Sequence, residues 1–322
     1  MKLATFHCDG CDRIGIVADD ESLLDLLPLS ALCAREGASD SQACEESRSC
    51  FAGDMSRMLA AGDAALDAAR RALDFYERNR PATGARGEPI RRLLSSVTLR
   101  APVPRPGKLI CVGKNYKSLY KEGEPYNETP AAWLAPTTSI IAHGEPIVRP
   151  RRTLELDYEV ELAVVIGKRG KYIAEADALS YVAGYTIVND ITDVGLLRAE
   201  RELRTRLLQK GLDTFTPMGP WLVTSDEVGD PQDLDLRLRV NGEVRQDSNT
   251  REMVASVPAL ISYLSMMTLE PGDVISTGMP WGFAWPRPDA QRCFLKPGDV
   301  IEAEVERIGV LCNTVVDEKE RT

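Results

Sequence analysis

One stretch constrains this chain more than any other. Leu156-Asp157-Tyr158-Glu159-Val160-Glu161-Leu162-Ala163-Val164-Val165-Ile166-Gly167 is a β-strand sequence with acids set into it. Side chains two apart on a strand share a face, so Asp157, Glu159 and Glu161 are expected to point one way and Tyr158, Val160 and Leu162 the other. The run is so apolar that burial on both faces is expected, and unpaired carboxylates crowded there would be severely destabilising. Three arrangements relieve them: one acid is protonated, Arg and Lys side chains converge, or a hard cation such as Mg²⁺ or Mn²⁺ binds through oxygen. A solvated edge-strand face with alternating acids is the plainer alternative. A second apolar strand, Tyr185-Thr186-Ile187-Val188-Asn189-Asp190, delivers a third carboxylate at its end and shifts the balance. Three carboxylates, with water and substrate filling the remaining positions, describe an Mg²⁺ site.

The 322 residues suffice for one large domain and a smaller one. Turn formers crowd residues 79–107 (Pro81, Gly84, Gly87, Pro89, Pro102, Pro104, Pro106, Gly107), placing a boundary near 105. Residues 1–105 then form a small N-terminal α/β unit with its linker, and 106–322 the larger, mainly β unit, an α+β chain overall. In the first unit a helix is expected from Asp54 to Arg78 with Asp54 as its cap, and a loosely helical pattern from Leu23 to Leu32. Beyond 105, strands are expected at Leu109–Val112, Ser139–Ala142, Asp157–Ile166, Ala183–Asn189, Leu236–Val240, Val274–Thr277 and Val300–Val305. A helix is expected at Thr250–Met266 and a frayed tail from Asp317 to Thr322. Asp9-Gly10 and Asn241-Gly242 are hairpin turn signals. No Gly-x-Gly-x-x-Gly follows a strand, which disfavours a doubly wound nucleotide-binding sheet.

A net charge of −10 opposes binding to nucleic acid or anionic lipid, and no apolar run is long enough to span a bilayer. The first residues lack the apolar core of a secretory signal, and the cytoplasm is the expected address. Eight scattered cysteines do not suggest a disulfide framework. The Cys8-Asp9-Gly10-Cys11 spacing beside His7 lacks the further ligands a structural zinc would want, so a hairpin turn is the simpler reading.

Several ordered blocks resemble the fumarylacetoacetate hydrolase superfamily across residues 108 to 316. They include Val112-Gly113-Lys114-Asn115-Tyr116, the acid-bearing strand, Val188-Asn189-Asp190, Lys210-Gly211-Leu212-Asp213-Thr214-Phe215, Val240-Asn241-Gly242-Glu243-Val244-Arg245-Gln246, Leu269-Glu270-Pro271-Gly272-Asp273 through Thr277-Gly278, and Phe294-Leu295-Lys296-Pro297-Gly298-Asp299. The resemblance implies a mixed β-sheet roll with a smaller N-terminal domain, a homodimer, and a small 2-oxo carboxylate substrate. It further implies Glu159, Glu161 and Asp190 as ligands of Mg²⁺, with Mn²⁺ or Ca²⁺ as alternatives, and Lys210 as the active-site lysine. Asn115, Tyr116, Thr277 and Gly278 fall in blocks expected to meet substrate, and Asp157 becomes a supporting residue. The chemistry implied is metal-dependent C–C hydrolysis of an acylpyruvate-like or 2,4-dioxo acid through a stabilised enolate.

The pattern is broken at four places. Leu119 stands where hydrolytic members carry a His, Ala135 where a Lys is usual, Val194 where an Arg is usual, and Met279 where a Thr is usual. The pocket is therefore expected to be more apolar, with Trp133, Trp281, Phe283 and Trp285 as candidate lining. Without the imidazole, Glu122 is the remaining candidate base, and isomerisation, decarboxylation or dehydration of a related 2-oxo acid becomes the alternative to hydrolysis. A catalytically silent homologue is a further alternative. The only histidines are His7 and His143.

Overall fold

In the computed structural model, residues 1–34, 40–127 and 129–319 are described, so the last residues of the expected tail lie outside them. A large mixed β-sheet dominates. Its central order runs Lys2–Cys8, Thr216–Thr224, Val182–Asn189, Val160–Ile166, Val274–Ser276, Leu109–Gly113 and Ala131–Ala135. Most neighbours are antiparallel, whereas Val274–Ser276 and Leu109–Gly113 run parallel. A second sheet of five strands contains Glu243–Asn249, Asp235–Val240, Val300–Val305, Gly309–Asp317 and Ile147–Arg149.

The central strand Val160–Ile166 is buried at every position, and its two faces meet different layers. Leu162, Val164 and Ile166 join Leu236, Leu238, Ile301 and Ala303 of the second sheet in one core. Ala163 and Val165 join Leu29, Met55 and Ala69 of the N-terminal helices in another. Coverage on both faces explains why the strand is a continuous apolar run instead of an alternating one. The N-terminal strands extend the same sheet, because Lys2 and Leu3 pair with Val223 and Leu222.

Both hairpin signals hold. Asp9 and Gly10, and Asn241 and Gly242, all take positive φ, as a tight two-residue turn requires. The expected helix from Asp54 to Arg78 forms as two, Met55–Ala60 and Asp63–Asn79, with Asp54 accepting from Arg57 N at the first cap. The break falls at Gly62, whose φ of 72° leaves the helical region. The Leu23–Leu32 segment divides into a strand, Ser22–Asp25, and a helix, Leu26–Ala34. The expected Thr250–Met266 helix shortens to Val257–Leu264, capped by Ser256. Strand Thr216–Thr224 was not expected at all, since it contains Pro217, Gly219 and Pro220. Its ladder to Val182–Asn189 shifts register between Tyr185 and Ile187, beside Pro220, where proline has no N–H to donate.

That junction depends on Gly184, opposite Thr224. A Cβ there would overlap the Val223 carbonyl oxygen and lie 2.9 Å from its carbon, both backbone atoms that cannot swing aside. Gly184→Ala is expected to cost about 2–4 kcal/mol by forcing apart the strand that carries Asp190. Urea unfolding at equilibrium measures this, and an unchanged midpoint would contradict the packing described.

Candidate metal centre

Register places the acids. Val160 pairs with Asn189 and Glu161 with Val188, so Asp190 emerges just past the ladder opposite Glu159, and its N–H donates to the Glu159 carbonyl at 2.9 Å. Glu161 lies on the side of its strand that carries Ala163 and Val165, and Glu159 stands just ahead of that strand. The three side chains are buried, and one oxygen from each lies within 4.8 Å of the others. Lys210, on the short helix Leu208–Gly211, enters the same space and is itself buried.

The hydrogen bonds divide unevenly. Glu161 Oε2 accepts from Ser276 Oγ at 2.5 Å and Gly278 N at 2.9 Å. Glu159 Oε1 accepts from Thr192 Oγ1 at 3.2 Å, and its Oε2 from Lys210 Nζ at 2.6 Å. Lys210 also donates to the Asp190 carbonyl at 3.0 Å. Lys210 Nζ lies 2.8 Å from Asp190 Oδ2, yet that oxygen makes no hydrogen bond, so the contact is an ion pair without a well-directed N–H.

Charge follows from this arrangement. Burial, then Asp190 and Glu159, push the Glu161 carboxyl well above the carboxylate range. Burial raises Asp190 to about 6 against the pull of Lys210. Burial alone would depress Lys210, but Asp190, Glu159 and Glu161 outweigh it and hold the ammonium more firmly protonated than usual. Three acids face one cation, leaving negative charge in excess and one buried carboxylate oxygen without a donor. Oxygen donors in that state suit a hard dication. The cluster is therefore capable of coordinating a divalent metal.

Asp157 does not share the cluster, contrary to the single-strand reading. Leu156–Asp157 pairs separately with Thr192–Asp193, and residues 158 and 159 lie between two strands. Asp157 instead accepts from Tyr158 N at 2.9 Å and from Ala284 N and Trp285 N, both at 2.7 Å, which ties down the loop after Gly278.

Asn115 is buried and engaged: its amide donates to Thr277 O at 2.9 Å and Ala255 O at 3.1 Å, and its Oδ1 accepts from Ala255 N at 2.8 Å. It holds the chain around Thr277 and Gly278. Thr277 donates through Oγ1 to Leu162 O at 2.8 Å, and Gly278 contributes its N–H to Glu161. Tyr116 is fully buried with an unpartnered hydroxyl. Burial, and then Glu161, push that phenol up.

Glu122 is exposed and is not brought to the cluster. The acid engaged in that loop is Glu124, which pairs with Lys114 at 2.5 Å. Leu119 packs against the core of the roll. His7 bonds Asp12 at 2.6 Å in the N-terminal hairpin, and His143 accepts from Cys312 N at 3.1 Å. Neither contacts the acids or Lys210. Val194 is fully buried at the start of its helix, and Ala135 is buried on its strand opposite Leu109. Of the four candidate aromatic residues, Trp281 and Phe283 pack edge to face at 5.7 Å, and Trp133 and Trp285 each lie under an arginine. Sequence reasoning missed Ser276 and Thr192, the hydroxyl donors to Glu161 and Glu159; each lies two residues from a residue it did single out, Gly278 and Asp190.

The chain is similar to known proteins over most of its length. The human mitochondrial oxaloacetate tautomerase FAHD2A is 42% identical over 265 residues, covering 81% of this chain and 79% of that protein. Maleylpyruvate hydrolase from Sphingobium sp. SYK-6, in complex with manganese(II) ion and pyruvate, superposes with a TM-score of 0.73 at 30% identity, covering 99% of this chain and all of that one (100%). The 5-carboxymethyl-2-hydroxymuconate delta-isomerase of Mycobacterium smegmatis gives 0.70 at 29% identity, with coverage of 99% and 100%. The expected cytoplasmic address is overturned, because the human and bovine relatives are named as mitochondrial. Lack of an apolar secretory segment separates secreted from non-secreted chains but does not choose among the other compartments. Residues 108–316 match the family described as fumarylacetoacetate (FAA) hydrolase C-terminal, and with the buried acid cluster in place the chain belongs to that family.

Proposed function

We propose that this protein interconverts the enol and keto forms of a 2-oxo carboxylic acid, with oxaloacetate as the lead substrate, and does not hydrolyse a C–C bond. One observation carries the reading: beside the three acids the chain places a buried lysine but no imidazole, and the candidate base Glu122 is exposed. Hydrolysis needs a group poised to take a proton from water. Tautomerisation needs only a stabilised enolate and a proton that changes place. The relatives named oxaloacetate tautomerase support the same choice.

Glu159, Glu161 and Asp190 are the residues that would hold Mg²⁺, or Mn²⁺ as in the hydrolase neighbour. When bound, the ion supplies Lewis acidity to the carboxylate and 2-oxo oxygens of the substrate. Lys210 Nζ sets a fixed positive charge where the enolate develops its negative charge, while the enol oxygen gives up one proton for each proton taken up at carbon. Ser276 and Gly278 N orient Glu161, and Thr192 orients Glu159.

Ketonisation of enol-oxaloacetate, followed by loss of enol absorbance with product mass unchanged, is the deciding assay. Lys210→Ala is expected to lower kcat about a hundredfold. Faster cleavage of an acylpyruvate into two acids than ketonisation of oxaloacetate would refute the reading. Proton and metal also compete for the raised carboxyls, so Mg²⁺ affinity should weaken as pH falls through about 6, instead of near the ordinary carboxylate value of about 4. Binding near neutrality should release protons. Calorimetry in buffers of different ionisation heat measures both, and affinity that is flat between about pH 5 and about pH 8 contradicts the assignment.

A further inference from the structure

Arg206 and Arg201, from the same segment, each lie over a tryptophan ring, whereas several other cations of the chain are paired with acids. Lys114 is paired with Glu124, Lys117 with Glu252, Arg198 with Glu155, and Lys210 with Glu159 and Asp190. Among the described residues Arg206 has no carboxylate within ion-pair distance. Its guanidinium is nevertheless held in place, lying over the Trp133 ring at 4.8 Å from the centroid. Gly113 lies directly beneath it: a Cβ there would meet Arg206 Nη1 and come within 3.1 Å of the Trp133 ring, so a side chain at 113 would displace the guanidinium.

Gly113 borders the acid cluster. It ends the strand Leu109–Gly113, and the preceding Val112 carbonyl lies 2.9 Å from where a Gly278 Cβ would stand. Gly278 in turn donates its N–H to Glu161. The guanidinium is thus an exposed cation, unpaired with acids and resting on Trp133, at the edge of the site in a protein whose net charge of −10 repels anions.

We infer that Arg206 receives a second, distal carboxylate of the substrate and so selects dicarboxylic 2-oxo acids over monocarboxylic ones. This rests on the acid cluster taking the 2-oxo carboxylate end, as proposed above. The planar fork of arginine matches a carboxylate through paired N–H donors, which lysine cannot reproduce.

Malate and lactate test it without turnover, because they share a 2-oxygenated carboxylate end and differ by the distal carboxylate. Titrated in Mg²⁺ and followed by tryptophan fluorescence, the protein is expected to bind malate about tenfold more tightly than lactate. Arg206→Gln should bring the two within about twofold by weakening malate alone, and Arg206→Lys should keep an intermediate preference. Equal weakening of both ligands, no change in either, or no preference for malate in the unaltered protein overturns the assignment. A protein that shows the Arg206-dependent preference but leaves enol-oxaloacetate untouched would refute the tautomerase reading and leave this one standing.

Discussion

The structure turns on one unfavourable act, the burial of three carboxylates around a single ammonium. Two unit charges about 4 Å apart interact by about 4 kcal/mol even at an effective dielectric near 20, so repulsion among Glu159, Glu161 and Asp190 is large beside the stability of a whole domain. Lys210 offsets it for Glu159 and Asp190. Glu161 has no cation of its own and relies on Ser276 and the Gly278 amide, and its carboxyl is pushed furthest toward the neutral form. Replacing these acids by apolar residues would pack more easily. Their retention in a dry layer is intelligible if a dication and an anionic substrate complete the charge.

Holding such a cluster requires a frame that cannot relax away from it. Burial of Val160–Ile166 between two cores fixes its register, since slipping by one residue would turn Glu161 into the aliphatic side. The neighbouring strand is locked by the close backbone approach at Gly184, and Asp157 pins the loop after Gly278 from below. Asn115 joins the chain at Ala255 to that at Thr277. Asn115 and Thr277 hold the chain around the site through their backbone partners.

The acid strand and the end-of-strand Asp190 were legible in the sequence because alternation and apolarity are local properties that burial imposes directly. The two hairpin turns were legible for the same reason, as were most of the strands. Other features were decided by tertiary context. Strand Thr216–Thr224 carries two prolines and a glycine, which read as turn chemistry, yet its neighbours supply the pairing and cover. Asp157 reads as in phase with Glu159 and Glu161, but the chain leaves the sheet between them and the phase is lost. Arg206 sits in a polar, arginine-rich segment that looks like solvated surface, and only the void at Gly113 and the ring of Trp133 set it apart.

The same fold carries both hydrolase and isomerase names among its structural neighbours, so the acid cluster by itself does not choose the reaction. The choice falls to what stands over it. An imidazole at the position of Leu119, as the family resemblance expects for hydrolytic members, could take a proton from water. Here Leu119 occupies that position and packs inward, and the nearby acid that finds a partner, Glu124, is spent on Lys114. What remains at the site is an ammonium and a set of carboxylate oxygens. On the reading proposed above, that set steadies an enolate but offers water no base. On that same reading, the departures that remove a base for water are the same ones that leave proton transfer on an intact carbon skeleton as the chemistry of the site.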